Sequence, residues 1–238
     1  MILMLLSHPA MAQQVNITMP DGSGTGSLAT RSIQLIVLIT ILSLVPGLAM
    51  MITAFPFIVT VLSILRQAIG LQQSPPNMLI VSLALFLTYF VMEPVFLEAW
   101  KLGGEPFSNG EMELEPAFLA ALEPFKVFMV GRIDPGTFSA LAGLRDGTQD
   151  AMLGSDAPTS LLVPSFLLSE ISRAFQIGFL IFLPFLIIDL VVAAILMSMG
   201  MMMVPPAIVS LPFKLAFFVI ANGWTLVSEA LVRSYFGG

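Results

Sequence analysis

The sequence predicts an all-α protein of the integral membrane class: apolar helical hairpins around a small acidic helical region outside the cytoplasm. Three observations carry that expectation. The chain of 238 residues is 57% apolar and only 10% charged, whereas soluble domains carry roughly 25% charged residues. Its mean hydropathy is +0.97. The charges are also segregated, since eleven of the fifteen acids fall between Glu93 and Asp156, with four bases among them.

Taken in order, residues 1–6 are apolar and are followed by Ala10-Met11-Ala12, a small-x-small pattern. Residues 1–12 are therefore expected to be a signal peptide cleaved after Ala12. Residues 13–32 include Asp21-Gly22-Ser23-Gly24-Thr25-Gly26-Ser27 and read as a flexible linker. Residues 33–97 form an N-terminal apolar helical hairpin region. Its first block, 33–65, is punctuated by Pro46-Gly47 and Pro56, and is too long for one span of ~20 residues yet too short for two. A broken helix or tight hairpin is expected there.

Residues 98–165 form the acidic region. Within it, 116–129 is expected to be a helix, with Phe118, Leu122, Phe125 and Met129 on one face at three- and four-residue steps. Residues 166–238 form a C-terminal apolar hairpin around a Met-rich loop. Arg66 lies between the first two apolar blocks. Basic residues near span ends favour the cytoplasm, so Arg66 is expected inside, 98–165 outside, and the Met loop toward the cytoplasmic end.

That loop is Ser198-Met199-Gly200-Met201-Met202-Met203-Val204-Pro205-Pro206, with four methionines in five residues. Methionine is unbranched and polarizable and repacks at little cost. Composition alone allows a deformable constriction or an apolar loop packed in an interface. The ionisable residues of the apolar blocks stand out in the same way, because charges at membrane depth are costly and face protein or water. Asp189 and Lys214 flank the loop at similar distances, and antiparallel helices would bring them level. A structural ion pair within or between subunits, a proton or ion relay, and snorkelling of Lys214 all remain open. Glu170 and Arg173, three residues apart, are expected to pair along a helix or bind a neighbour.

Several functions are excluded. No Lys/Arg cluster exists to neutralise phosphates, so nucleic acid is not an expected partner. There is no cysteine, and the single histidine, His8, lies in the expected leader; neither thiolate nor imidazole metal sites are expected. No cofactor motif or nucleophile–base arrangement is present, so no enzyme activity is expected.

Long ordered stretches carry a resemblance. Phe175-Gln176-Ile177-Gly178-Phe179, Phe182-Leu183-Pro184-Phe185-Leu186-Ile187-Ile188-Asp189, the Met loop, and Ser210-Leu211-Pro212-Phe213-Lys214-Leu215 follow one another. Together with Leu65-Arg66-Gln67-Ala68-Ile69-Gly70, they resemble the FliP/SctR family of type III export gates, in its flagellar branch. The resemblance implies a non-enzymatic pore subunit in the bacterial inner membrane, at the flagellar basal body. It implies about five copies in a shallow helix, a geometry that head-to-tail contacts generate when their rotation does not close. FliQ-like and FliR-like subunits and other export-apparatus membrane proteins are the implied partners, and unfolded flagellar proteins the cargo. Met199, Met201, Met202 and Met203 would form the pore gasket. An acid–lysine contact between adjacent copies would fall on Glu170 and Lys214, ahead of the hairpin pairing of Asp189 with Lys214. The family commonly shows aspartate before the Gly-Trp of the last block, where this chain has Asn222-Gly223-Trp224. The alternative is a secondary transporter or ion channel that uses Asp189 and Lys214 as a coupling site.

Overall fold

The computed structural model describes residues 28–71, 75–201 and 203–236; the expected leader and most of the linker lie outside the described residues. The chain divides into two compact units, 1–43 and 44–238. Helix α1 (Leu28–Met51) begins in the first, ahead of the expected linker boundary at 32. The second unit carries α2 (Phe55–Ile69), α3 (Asn77–Ala99), a π-helical turn (Trp100–Gly104), α4 (Glu105–Ser108), α5 (Leu114–Val130), α6 (Pro135–Gly143), α7 (Thr159–Ser198), α8 (Pro206–Ile220) and α9 (Gly223–Phe236). No strand occurs among the described residues.

The first break falls at Pro56 rather than Pro46, which lies inside α1. Residues Ser43–Met51 meet α2 at 74°. Pro56 sits in the first turn of α2, where its missing N–H costs no helical bond. The Thr53 hydroxyl donates to the Met50 carbonyl at 2.8 Å and accepts from the Phe55 N–H at 3.3 Å, closing the corner.

Helix α2 is the hub. Phe57, Ile58, Val61, Leu62, Leu65, Ala68 and Ile69 are all buried, and α3, α7 and α8 pack around it. At 15 residues it is about 22 Å long, shorter than the ~30 Å hydrocarbon core. Its closest approach is to α7 at Gly178, where an added Cβ would lie 2.5 Å from Ile64 Cδ1.

The acidic region has its own small core, formed by Met129, Ile133, Phe138, Ala142, Leu161, Leu162 and Phe166. The expected boundary at 165 therefore falls inside a continuous helix, since the first turns of α7 belong to this core. The four residues expected on one face of α5 differ in burial. Met129 is buried and Phe125 packs on the main core, but Phe118 is 61% exposed. Small residues set the contact instead: a Cβ on Gly103 would lie 2.2 Å from the Ala117 carbonyl and 2.8 Å from Ala121 Cβ. Close packing of backbones against this column turns Phe118 outward.

Asp134 caps α6, accepting the Thr137 N–H at 2.7 Å and its hydroxyl at 2.9 Å. Those bonds, the N–H first, hold its carboxyl below the usual aspartate range. The cap's contribution is full above the ordinary aspartate pKa and is lost as pH falls through the lower folded value.

Among the described residues, two helical stretches, Asn77–Ser108 and Thr159–Ser198, are long and apolar enough to cross a membrane. Two bent pairs pass the same test together: the corner at α2, and α8 with α9, which meet at 62°. Substituting Gly178→Val forces a branched side chain into Ile64 and is expected to cost about 1–3 kcal/mol. Thermal unfolding in detergent checks this; an unchanged midpoint would contradict the close α2–α7 contact.

Candidate functional site

The Met loop ends α7 in a turn that its sequence dictates. Gly200 has φ +72°, a conformation open to glycine but strained for other residues. The Met201 N–H donates to the Leu196 carbonyl and the Gly200 N–H to Met197, both at 3.0 Å. This is the Schellman arrangement that satisfies the last carbonyls of a helix. Pro206 then opens α8, at the one helical position where proline is favoured.

The tip so built leaves methionine side chains exposed. Met199 and Met201 are exposed and Met203 is 97% exposed; Met202 lies outside the described residues. Below the tip, Ile188, Val192, Ile195, Val209 and Phe213 line an apolar cleft of about 400 Å³ between α7 and α8.

The base of the hairpin is polar. Lys214 Nζ lies 2.6 Å from Asp189 Oδ2, and the Ser210 hydroxyl donates to Asp189 Oδ1 at 2.6 Å. Lys214 Nζ also donates to the Ala68 carbonyl at 3.1 Å. That carbonyl belongs to the last turn of α2, where a cation is favoured by the helix dipole. From this base to Ser198, α7 rises about 14 Å.

A second cluster surrounds Glu170, which has no exposed surface. Arg132 Nε lies 2.9 Å and Arg173 Nη1 3.1 Å from Glu170 Oε1, while the Tyr235 hydroxyl donates to Oε2. Arg132 Nη1 donates to the Ser234 carbonyl at 2.8 Å. Its guanidinium carbon sits 4.1 Å from the Tyr235 ring centroid and 5.7 Å from that of Phe57, a desolvated cation–π contact. One carboxylate thus joins the α5–α6 turn, α7 and α9. The Asp134 N–H donating to Ser169 Oγ at 2.9 Å reinforces the junction.

The two clusters lie at opposite ends of α2, one against Phe57 and the other against Ala68. These positions are about 17 Å apart along the helix. The chain brings Asp189 to Lys214 and Glu170 to Arg173, but holds Glu170 and Lys214 apart in separate clusters. Both Glu170 oxygens are engaged within the chain.

Arg132, Tyr235 and Ser210 are functional neighbours that the sequence reading missed. A signal existed: a carboxylate in an apolar block needs cations, and the chain has only nine Lys and Arg in total. Asn222 explains the last departure from the family pattern. Its φ is +51°, a conformation Asn and Asp adopt more readily than most residues, and its side chain accepts from the Thr225 hydroxyl at 3.2 Å. A Cβ on Gly223 would lie 2.2 Å from the Phe218 ring, and Trp224 meets that ring edge-on at 5.3 Å. The backbone bend, not a charge, is what this position supplies.

Comparison with known proteins agrees with this architecture. Residues 38–231 match the FliP family. The flagellar biosynthetic protein FliP of Caulobacter vibrioides is 50% identical over 232 residues, covering 97% of this chain and 86% of that protein. Those of Agrobacterium fabrum and Bacillus subtilis are each 42% identical, covering 98% and 86% of this chain and 96% and 92% of theirs. The chain belongs to the FliP family. It is a membrane-associated component of the flagellar export apparatus and not an enzyme.

Glu170→Ala leaves the largely buried Arg132 without its partner and is expected to cost about 3–5 kcal/mol. Tyr235→Phe removes one bond to a charged group, worth about 1.5–3 kcal/mol. Arg233→Ala, which breaks the exposed pair with Glu229, stays within about 0.5 kcal/mol of the parent. Unfolding midpoints in detergent rank the three; equal effects would contradict the buried cluster's role.

Proposed function

We propose that this chain is a core pore-forming subunit of the flagellar type III export gate. Several copies, about five as the family resemblance implies, pack with FliQ-like and FliR-like subunits around a channel that passes unfolded flagellar proteins. The gasket that seals it is Met199, Met201, Met202 and Met203. Energy for movement comes from partners, since the chain has no nucleotide-binding loop.

One observation carries the reading: an apolar, Met-tipped hairpin projects beyond the base ion pair, fixed there and bare above it. A tip with exposed thioethers is suited to meeting its equivalents from other copies and to yielding when a chain is pushed between them. The length of α7 supports assembly. Its 40 residues span about 60 Å, twice the ~30 Å hydrocarbon core. Leu168, Phe175, Leu186, Leu190 and Met197 are exposed along it, over about 44 Å, which is more than lipid alone covers. Neighbouring subunits are the remaining cover.

Replacing Met199, Met201, Met202 and Met203 together by alanine is expected to leave the complex assembled but permeable to small ions. Potassium efflux from vesicles holding the purified complex reads this directly. An assembled variant as tight as the parent would remove the gasket role.

A further inference from the structure

We infer that the outward face of α3 around Glu93 docks an apolar helix of a different subunit, through an arginine or lysine carried at membrane depth. The inference rests on the reading that this chain assembles with other membrane subunits, and it names a surface on which one of them sits.

The first observation is an unpaired charge. Glu93 is exposed and lies about 24 Å along α3 from Asn77, within the ~30 Å core that a span starting there would cross. A carboxylate at that depth is costly unless it meets protein or water. In the later apolar helices Glu170, Asp189 and Glu229 are each paired with a cation of this chain. Among the described residues, no cation lies within ion-pair distance of Glu93. Glu98 is exposed too, but at about 32 Å from Asn77 it stands at the edge of that core.

The second observation is what surrounds the charge. Pro94 has no N–H, so the Phe90 carbonyl, four residues back, lacks its helical donor. Tyr89 and Phe96 stack with ring centroids 6.3 Å apart, and Glu93 falls between them along the helix, one turn from each. A carboxylate, a spare carbonyl and two aromatic rings suit a guanidinium or ammonium group.

The third is shape. Toward the N-terminus the same face carries a shallow hollow of about 300 Å³, lined by Ser82, Leu85, Phe86 and Tyr89. Leu85, Phe86 and Tyr89 are exposed around it. Lipid covers such side chains as well as protein does, yet hydrocarbon offers Glu93 no counter-charge. A helix with apolar side chains in the hollow and a cation two turns on satisfies both.

This chain's own cations do not fill that role. Arg173, Lys214 and Arg233 hold acids of their own, and Arg66 donates to the Asn77 side chain. Arg31 precedes the apolar run that begins at Ile33, and the remaining four lie in the acidic region. The charges therefore select a different subunit over a second copy.

The test uses the complex purified in mild detergent with its co-purifying subunits. A photoreactive benzoylphenylalanine replaces Phe86, and mass spectrometry identifies the cross-linked peptide. The expected product joins α3 to an apolar segment of another subunit, within about two turns of a lysine or arginine. Glu93→Gln should lower retention of that subunit through a detergent wash several-fold. This variant keeps the side chain's shape and breaks no ion pair within the chain, so its fold is not at stake. Glu98→Gln should retain the subunit at the parental level, and exchanging the two charges, Glu93→Arg with glutamate in place of the partner's cation, should restore retention. Cross-links only to lipid or to a second copy would overturn the inference and leave the pore reading standing. So would a partner segment without a cation, full retention in Glu93→Gln, equal loss in Glu98→Gln, or a charge exchange that restores nothing. Recovery of the chain with no other membrane subunit would overturn both.

Discussion

The carboxylate of Glu170 is the constraint on which the rest of the structure depends. A buried charge is tolerated only when it is paired and its lone pairs are used, and this one draws groups from three separate parts of the chain. Arg132 arrives from the turn after α5, Arg173 from the same helix, and Tyr235 from the last helix. Meeting that demand fixes the acidic region and the C-terminal helix at one end of α2. A second buried charge, Lys214, imposes the same discipline at the other end through Asp189 and the Ala68 carbonyl. An apolar hub has little directional preference of its own. The polar cluster at each end supplies it.

This arrangement divides the molecule into a braced part and an unbraced one. Between the two clusters, α2, α3, α7 and α8 share a continuous core. Above the Asp189–Lys214 pair, α7 and α8 hold an apolar cleft between them and exposed methionines at the tip. A hairpin anchored in this way keeps soft side chains exposed at its tip. The acidic region, with its separate small core, can pack against neighbours without disturbing that hairpin.

Much of this was legible in the residues. Membrane class follows from the charge content, and the hairpin follows from Gly200 and the double proline, because few other conformations suit that run. The Asp189–Lys214 pairing followed from their similar distance to the tip, although the family resemblance ranked a contact between copies above it. What the sequence hid was long-range or steric. Arg132 is 38 residues from Glu170 and Tyr235 is 65 away, and no local pattern links them. Phe118 fits the helical period of α5, yet it faces outward because Gly103, Ala117 and Ala121 permit a closer approach beside it. The boundary at 165 failed for a related reason: hydropathy changes there, but Pro164 does not stop α7.

The account's central claim is that the methionine tips of several copies converge to close a channel. An experimental density map of the assembled complex, detailed enough to place side chains, tests this most directly. The account predicts the thioethers of Met199, Met201 and Met203 turned toward a common axis, with Asp189 and Lys214 still joined within each copy. Sulfurs on the outer, lipid-facing rim would contradict it.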